Sequence, residues 1–255
     1  MTDPTLEPDS PADACLNCGT KVNDNYCPHC GQKVQAIRVP FKDLAGEAVS
    51  TFLNFDGLWW HTLRELMLRP GKVTRDYLDG KRASYLPPLR TYLSVSVVYF
   101  LTLQLRGPEQ VLFINFGEGE QGASTAGSHM QYGLFFLVPL LAAVLHLLFW
   151  KRRGFYVEYL VFAVHLHSVW FVLFSLKLIL DWLLGFGSGG VIDGLQSVMA
   201  GLTQLLPVVY FVLSLRRVFR NSWIISIGAA ITAITLYLFL MAGFVVGLVY
   251  LQQLN

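Results

Sequence analysis

The chain has 255 residues, of which 54% are hydrophobic and only 14% charged, with a formal net charge of +2. An ordinary soluble domain carries roughly 25% charged residues. Of the 36 Asp, Glu, Lys and Arg residues, 21 fall in positions 1–85. This excludes a soluble globular protein, a disordered tail and a fibrous repeat, and leaves a small polar front end attached to a bundle of membrane-spanning helices.

Residues 1–13 are acidic and Pro-rich with no apolar core, so they read as a disordered tail rather than a cleavable signal. A zinc ribbon is expected over 14–34. All four cysteines lie there, as Cys15-x2-Cys18-x8-Cys27-x2-Cys30. Two such pairs clip a tetrahedral zinc through four thiolates, which leaves no open position, so the metal is structural rather than catalytic. Gly19 and Gly31 follow the second cysteine of each pair, where a tight knuckle favours a residue without Cβ. A pair of disulfides is the competing reading, and His29 is a competing ligand. The first is disfavoured by a reducing compartment, the second by two sulfurs already in its knuckle. Residues 1–40 carry three basic and five acidic side chains, the wrong sign for a phosphate-binding surface, so no nucleic acid is expected. A cytoplasmic protein partner, or capping of the membrane domain, fits better.

Residues 35–85 read as amphipathic juxtamembrane helices. In 41–52, Phe41, Leu44, Ala45, Ala48, Val49 and Phe52 make one helical stripe. A second helix follows Asp56-Gly57, with Leu58, Trp59, Trp60, Leu63, Leu66 and Met67 on its apolar side, and stops at Pro70-Gly71. A third occupies about 72–79 and is closed by Gly80. The basic residues Arg64, Arg69, Lys72, Arg75, Lys81, Arg82 and Arg90 suit an inner headgroup layer. Packing of the same helices on the ends of the spans is the alternative, and the two are compatible.

A span needs roughly 20 apolar residues, and five stretches qualify: 86–105, 132–150, 156–184, 195–215 and 223–251. The third is long enough to need tilt or an interfacial end, and the fourth contains Pro207. Trp59, Trp60, Trp150, Trp182 and Trp223 lie where interfaces are expected. The 2–3 link carries Lys151, Arg152 and Arg153, and the 4–5 link carries Arg216, Arg217 and Arg220. The 1–2 link has Arg106 alone, and the 3–4 link has no Lys or Arg. With five spans these links alternate sides, giving a multi-pass inner (cytoplasmic) membrane protein with its N-terminus cytoplasmic and C-terminus outside. Gly and Ser enrichment in 117–128 marks a flexible first outer loop.

The ribbon, together with FDGLWWHTLRELMLRPGKVTRDYLDGKRASYLPPLRTYL after it, resembles a bacterial family of multi-pass membrane proteins of unknown function with an N-terminal zinc ribbon. The resemblance covers about 15–105. It implies a topology and a ribbon but no reaction, so no catalytic residue is carried over.

Ionisable residues inside spans are functional candidates. Counting from the 151–153 turn puts His146 and His165 at similar depth, where they can face each other around a metal or b-type haem. His167 lies on nearly the opposite side of the helix from His165. The competing reading, which the sequence favours over haem, has each histidine in an interhelical hydrogen bond. Lys177 and Asp181, spaced i, i+4, are expected to neutralise one another. Gln196 and Gln204 on the fourth span can join helices. No hydrolase, protease, P-loop or dinucleotide motif is present. The leading reading is an all-α, non-enzymatic membrane protein whose ribbon docks a partner or senses a cytoplasmic state. A small-solute transporter or channel using Arg90, His146, His165, Gln204 and the Pro207 break is the alternative, and a haem- or metal-dependent redox protein built on His146 and His165 is a second. The sequence leaves the oligomeric state open.

Overall fold

The computed structural model describes residues 14–34, 56–106, 136–152, 154–185 and 190–253. The 41–52 stripe, the 117–128 loop, Arg153 and the N-terminal tail 1–13 fall outside them. Seven α-helices are described: α1 (Gly57–Leu68), α2 (Lys72–Leu78), α3 (Pro88–Arg106), α4 (Phe136–Leu148), α5 (Tyr156–Leu184), α6 (Gly190–Phe219) and α7 (Trp223–Gln253). The ribbon contributes only two isolated antiparallel bridges, Ala14 with Lys21 and Tyr26 with Lys33.

Three helices, α5, α6 and α7, are long and apolar enough to cross a membrane. This is fewer than the five spans expected from the sequence. α3 falls short on composition: Arg90, Thr91, Ser94, Ser96, Thr102 and Gln104 make its 19 residues too polar. α4 is described over Phe136–Leu148, shorter than the roughly 20 residues a crossing needs.

The helices run up and down. The first turns of α3, α5 and α7 and the last turns of α4 and α6 gather at one end, where Phe149, Tyr159 and Phe219 stack and Trp59 Nε1 donates to Ser94 Oγ at 2.9 Å. α5 is the central element. Two thirds (67%) of its apolar window is buried in protein, against 33% for α6 and 28% for α7. The outward faces of α6 and α7 are correspondingly apolar, with Leu195, Val198, Leu202, Ile224, Ile231 and Phe239 exposed, as lipid contact requires. At 1.5 Å per residue, the 29 residues of α5 run about 43 Å against a hydrocarbon core of about 30 Å. Thr74 of α2 meets His165 Nδ1 at 2.9 Å, so the first turns of α5 are flanked by α2.

α1 starts at Asp56, whose carboxylate accepts from Trp59 N at 2.9 Å, a side-chain N-cap that satisfies an otherwise free donor. Its inward face is Trp59, Thr62 and Leu66. Trp60, expected on the apolar side, is 62% exposed, while Thr62 is buried because its hydroxyl donates to Leu58 O and accepts from Leu86 N. Between α1 and α2 an ion network ties the hairpin. Glu65 pairs with Arg69 and Lys72, at 3.0 and 2.9 Å, and Lys72 with Asp76 at 3.2 Å. Tyr85 Oη accepts from Lys72 and donates to Asp76. The hydrogen bond from Lys72 holds Glu65 below the usual carboxylate range. Burial alone would raise Asp76, but Tyr85 and Lys72 overcome it and hold the carboxyl low.

Both carboxyls are depressed, so their contribution is complete above the ordinary values of about 4 and is lost as pH falls below them. The thermal midpoint in detergent is therefore expected to be level from pH 7 to 5 and to drop below about pH 4, with the drop reduced in Lys72→Met. Gly71 is left-handed at φ 72, and a Cβ there would lie 2.9 Å from Ser214 Cα. Gly71→Ala is expected to destabilise by at least about 1–2 kcal/mol from backbone strain alone, read as a midpoint several degrees lower.

Candidate metal centre

The two cysteine knuckles are near-copies offset by twelve residues. In each, a cysteine carbonyl accepts from the left-handed glycine four residues on (Gly19 N to Cys15 O and Gly31 N to Cys27 O, at 2.8 and 2.9 Å). The same cysteine's N–H donates to the carbonyl five residues on, Thr20 O or Gln32 O. These turns aim the sulfurs inward. Cys15 Sγ lies 3.6 Å from Cys30 Sγ, and Cys18 Sγ 3.5 Å from Cys27 Sγ. All four lie within 4.8 Å of one another. These separations far exceed a disulfide bond of about 2.05 Å. They approach the edge of about 3.8 Å that a tetrahedron with Zn–S of about 2.3 Å demands.

The donor set fits a closed, soft, four-coordinate metal such as zinc. Hydrogen bonds from the hydroxyl and backbone N–H of Thr20 bring the Cys18 thiol down to about 5, which marks it as the first thiolate available. Burial pushes Cys30 up to about 11, and a divalent cation would draw off that proton. The packing around the sulfurs is small: Cys15, Val22 and Cys27 are buried, with Cys30 and Val34 against them. A core of this size cannot order twenty residues without a cross-link, and a metal held by the four sulfurs would supply one.

The ribbon sits on the loop between α2 and α3. The Gln32 carboxamide makes three hydrogen bonds there: Nε2 donates to Gly80 O at 2.8 Å, and Oε1 accepts from Arg82 N and Ala83 N at 3.0 and 2.9 Å. From the other knuckle, Asn17 Oδ1 accepts from Ser84 Oγ at 2.8 Å. Leu16 closes over Gly80, where a Cβ would come within 2.6 Å of Leu16 Cδ1. Gly80 is left-handed at φ 91, so only glycine meets both demands. The sequence assigns no role to Leu16, Asn17 and Gln32, and marks Gly80 only as the stop of the third helix. Gln32 follows a knuckle glycine, but nothing local says where its amide points.

The other candidates are dispersed. His165 turns to Thr74 and Tyr77 of α2. His167 donates from Nδ1 to Ala163 O and accepts at Nε2 from Tyr237 Oη at 3.0 Å. His146 lies edge-on to Tyr156 and Tyr159. Three histidines thus face three different sets of neighbours. Among the described residues, the cysteines form the one group of three or more ligand-type side chains. Lys177 and Asp181 pair with each other. Of the basic set, Arg69, Lys72, Arg75 and Lys81 make short ion pairs within the α1–α2 region. Arg90 approaches Asp56 at 3.9 Å, and the Arg82 guanidinium lies over the Tyr77 ring. Arg64 is exposed on α1.

One zinc per chain is expected by elemental analysis, with four sulfurs at about 2.3 Å in X-ray absorption. Cys27→Ser is expected to lose the metal while α5, α6 and α7 still insert, as read by membrane extraction.

The family described as "Protein of unknown function (DUF3667)" matches residues 56–100, the segment running from the cap of α1 into α3 and including the loop that holds the ribbon. No curated protein and no solved structure matches the chain.

Proposed function

We propose that the protein is a multi-pass, non-enzymatic membrane protein whose ribbon, by holding zinc, clamps the loop that leads into the bundle and so couples a cytoplasmic state or partner to the membrane helices. The observation that carries this reading is the Gln32 carboxamide, which spans Gly80, Arg82 and Ala83 with three hydrogen bonds from the residue next to a metal knuckle. A four-thiolate centre has no open position for substrate, and that favours sensing or docking over catalysis.

The topology proposed with it keeps five crossings, with α3 and α4 as the two less apolar ones. The up-and-down order supports it, as does the extensive packing of α3 along α5, which shields the hydroxyls of α3 from lipid. Arg152, Arg216, Arg217 and Arg220 lie at the same end as the ribbon. By the distribution of positive charge that end is cytoplasmic, where thiols stay reduced and available to zinc. In this reading Trp60, Arg64 and Leu68, exposed on one stripe of α1, meet the inner headgroup layer.

Limited trypsin digestion tests the clamp, because Lys81 and Arg82 lie in the held loop. With zinc bound, cleavage after them is expected to be slow. Chelation, or Gln32→Ala with zinc retained, is expected to speed it at least tenfold. Equal cleavage with and without metal contradicts the coupling.

A further inference from the structure

The four sulfurs that suit a metal are also placed to react with one another. Cys15 Sγ faces Cys30 Sγ at 3.6 Å, and Cys18 Sγ faces Cys27 Sγ at 3.5 Å. Each contact joins one knuckle to the other, and the two contacts share no sulfur. Access to the four is unequal: Cys18 is exposed and Cys30 half-buried, while Cys15 and Cys27 are buried. Each contact therefore pairs a more open sulfur with a buried one, Cys18 with Cys27 and Cys30 with Cys15. That is the arrangement of an attacked and a resolving thiolate. Oxidation selects the accessible sulfur, and a disulfide then needs a second sulfur already within reach.

The grip on the loop is divided between the same two knuckles. Asn17 stands between Cys15 and Cys18, and Gln32 two residues after Cys30. Their hydrogen bonds to Ser84 and to Gly80, Arg82 and Ala83 run from 2.8 to 3.0 Å, and bonds of this kind tolerate a stretch of only a few tenths of an ångström. Closing either sulfur pair to a disulfide of about 2.05 Å draws the knuckles together by about 1.5 Å at that pair. The two halves of the grip then no longer match the loop.

We propose that the ribbon is a hydroperoxide-responsive switch, in which oxidation converts its four thiolates into two cross-knuckle disulfides, Cys18–Cys27 and Cys15–Cys30, and frees the loop from Gly80 to Ser84. The proposal rests on the reading of the ribbon as a zinc-dependent clamp and names the cytoplasmic state to which it responds. With hydrogen peroxide, the Cys18 thiolate attacks one oxygen and the O–O bond breaks. Cys18 becomes the sulfenic acid and hydroxide leaves. The Cys27 thiolate then attacks the Cys18 sulfur, forming the S–S bond and expelling a second hydroxide. Cys30 and Cys15 repeat the two steps. Four thiolates thus pass four electrons to two peroxides and yield two disulfides and four hydroxides, which the buffer protonates. A disulfide lacks the thiolate charge that ligation requires, so oxidation and metal release go together.

The test exposes the zinc-loaded, full-length protein in detergent either to hydrogen peroxide or to a chelator. Zinc release, disulfide linkage and trypsin cleavage after Lys81 and Arg82 are followed. About two equivalents of peroxide are expected to release one zinc and to speed cleavage at least about tenfold, with dithiothreitol and zinc restoring slow cleavage. Trypsin also cuts at Lys21, between the knuckles, so cross-knuckle disulfides leave the two cysteine peptides joined and bonds within a knuckle leave them separate; fragmentation in the mass spectrometer assigns the pairs. Dimedone, which traps sulfenic acid, is expected to label Cys18 ahead of Cys15 and Cys27. Peroxide that removes no zinc, bonds within a knuckle, or first labelling at a buried cysteine overturns the switch. Cleavage that chelation speeds and peroxide does not overturns the switch and leaves the clamp standing, whereas cleavage that neither treatment speeds overturns both.

Discussion

The last carbonyls of α6 are the point on which the ribbon end of this protein is assembled. A helix leaves its final carbonyls without intrahelical donors, and here those donors come from elsewhere in the chain. Arg75 of α2 donates to Val218 O at 2.8 Å, and Arg152, in the link after α4, donates to Phe219 O and to Asn221 Oδ1. In return, Arg217 of α6 donates to Pro70 O at 2.7 Å, and Tyr210 Oη donates to Leu66 O at the end of α1. Arg216 lies over the Trp223 ring at 4.3 Å. The guanidinium groups meet the negative end of the helix dipole, so each contact is charge-assisted. These bonds join α1, α2, α6 and the links on either side into one plate.

That plate gives the ribbon something rigid to grip. The ribbon is too small to fold on apolar burial alone, so a metal held by its four sulfurs would order it, and through Gln32, Asn17 and Leu16 it rests on the loop that leaves this plate. The held loop, Gly80 to Ser84, lies between α2, which is tied into the plate, and α3, which packs along the central helix α5. In the proposed coupling, a change at the sulfurs would reach the bundle through these few and directional contacts. The buried Thr74–His165 pair continues the path from α2 into α5. This places His165 in the connection between the α1–α2 hairpin and the bundle.

Much of this was legible in the sequence because it rests on local rules. The Cys-x2-Cys spacing fixes the sulfurs through short turns within each knuckle. The Pro70-Gly71 stop falls between α1 and α2, and the long apolar runs are the helices α5, α6 and α7. What could not be read depends on non-local partners. The arginines of the links show in the sequence as a charge bias, and nothing in it says that they cap α6. Gln32 and Thr62 are ordinary polar residues until the fold brings backbone donors to them. The count of crossings was least legible: the sequence offers five apolar stretches, whereas three of the described helices are long and apolar enough to cross a membrane.

The central claim is that metal in the ribbon immobilises the loop leading into the membrane helices. Hydrogen exchange at the Arg82 and Ala83 amides tests it most directly, since both N–H groups are held by Gln32 Oε1. Slow exchange with zinc and fast exchange after chelation, with α5 still protected, is the predicted result. Amides that exchange rapidly in the zinc-loaded protein, or that stay protected once the metal is gone, would contradict it.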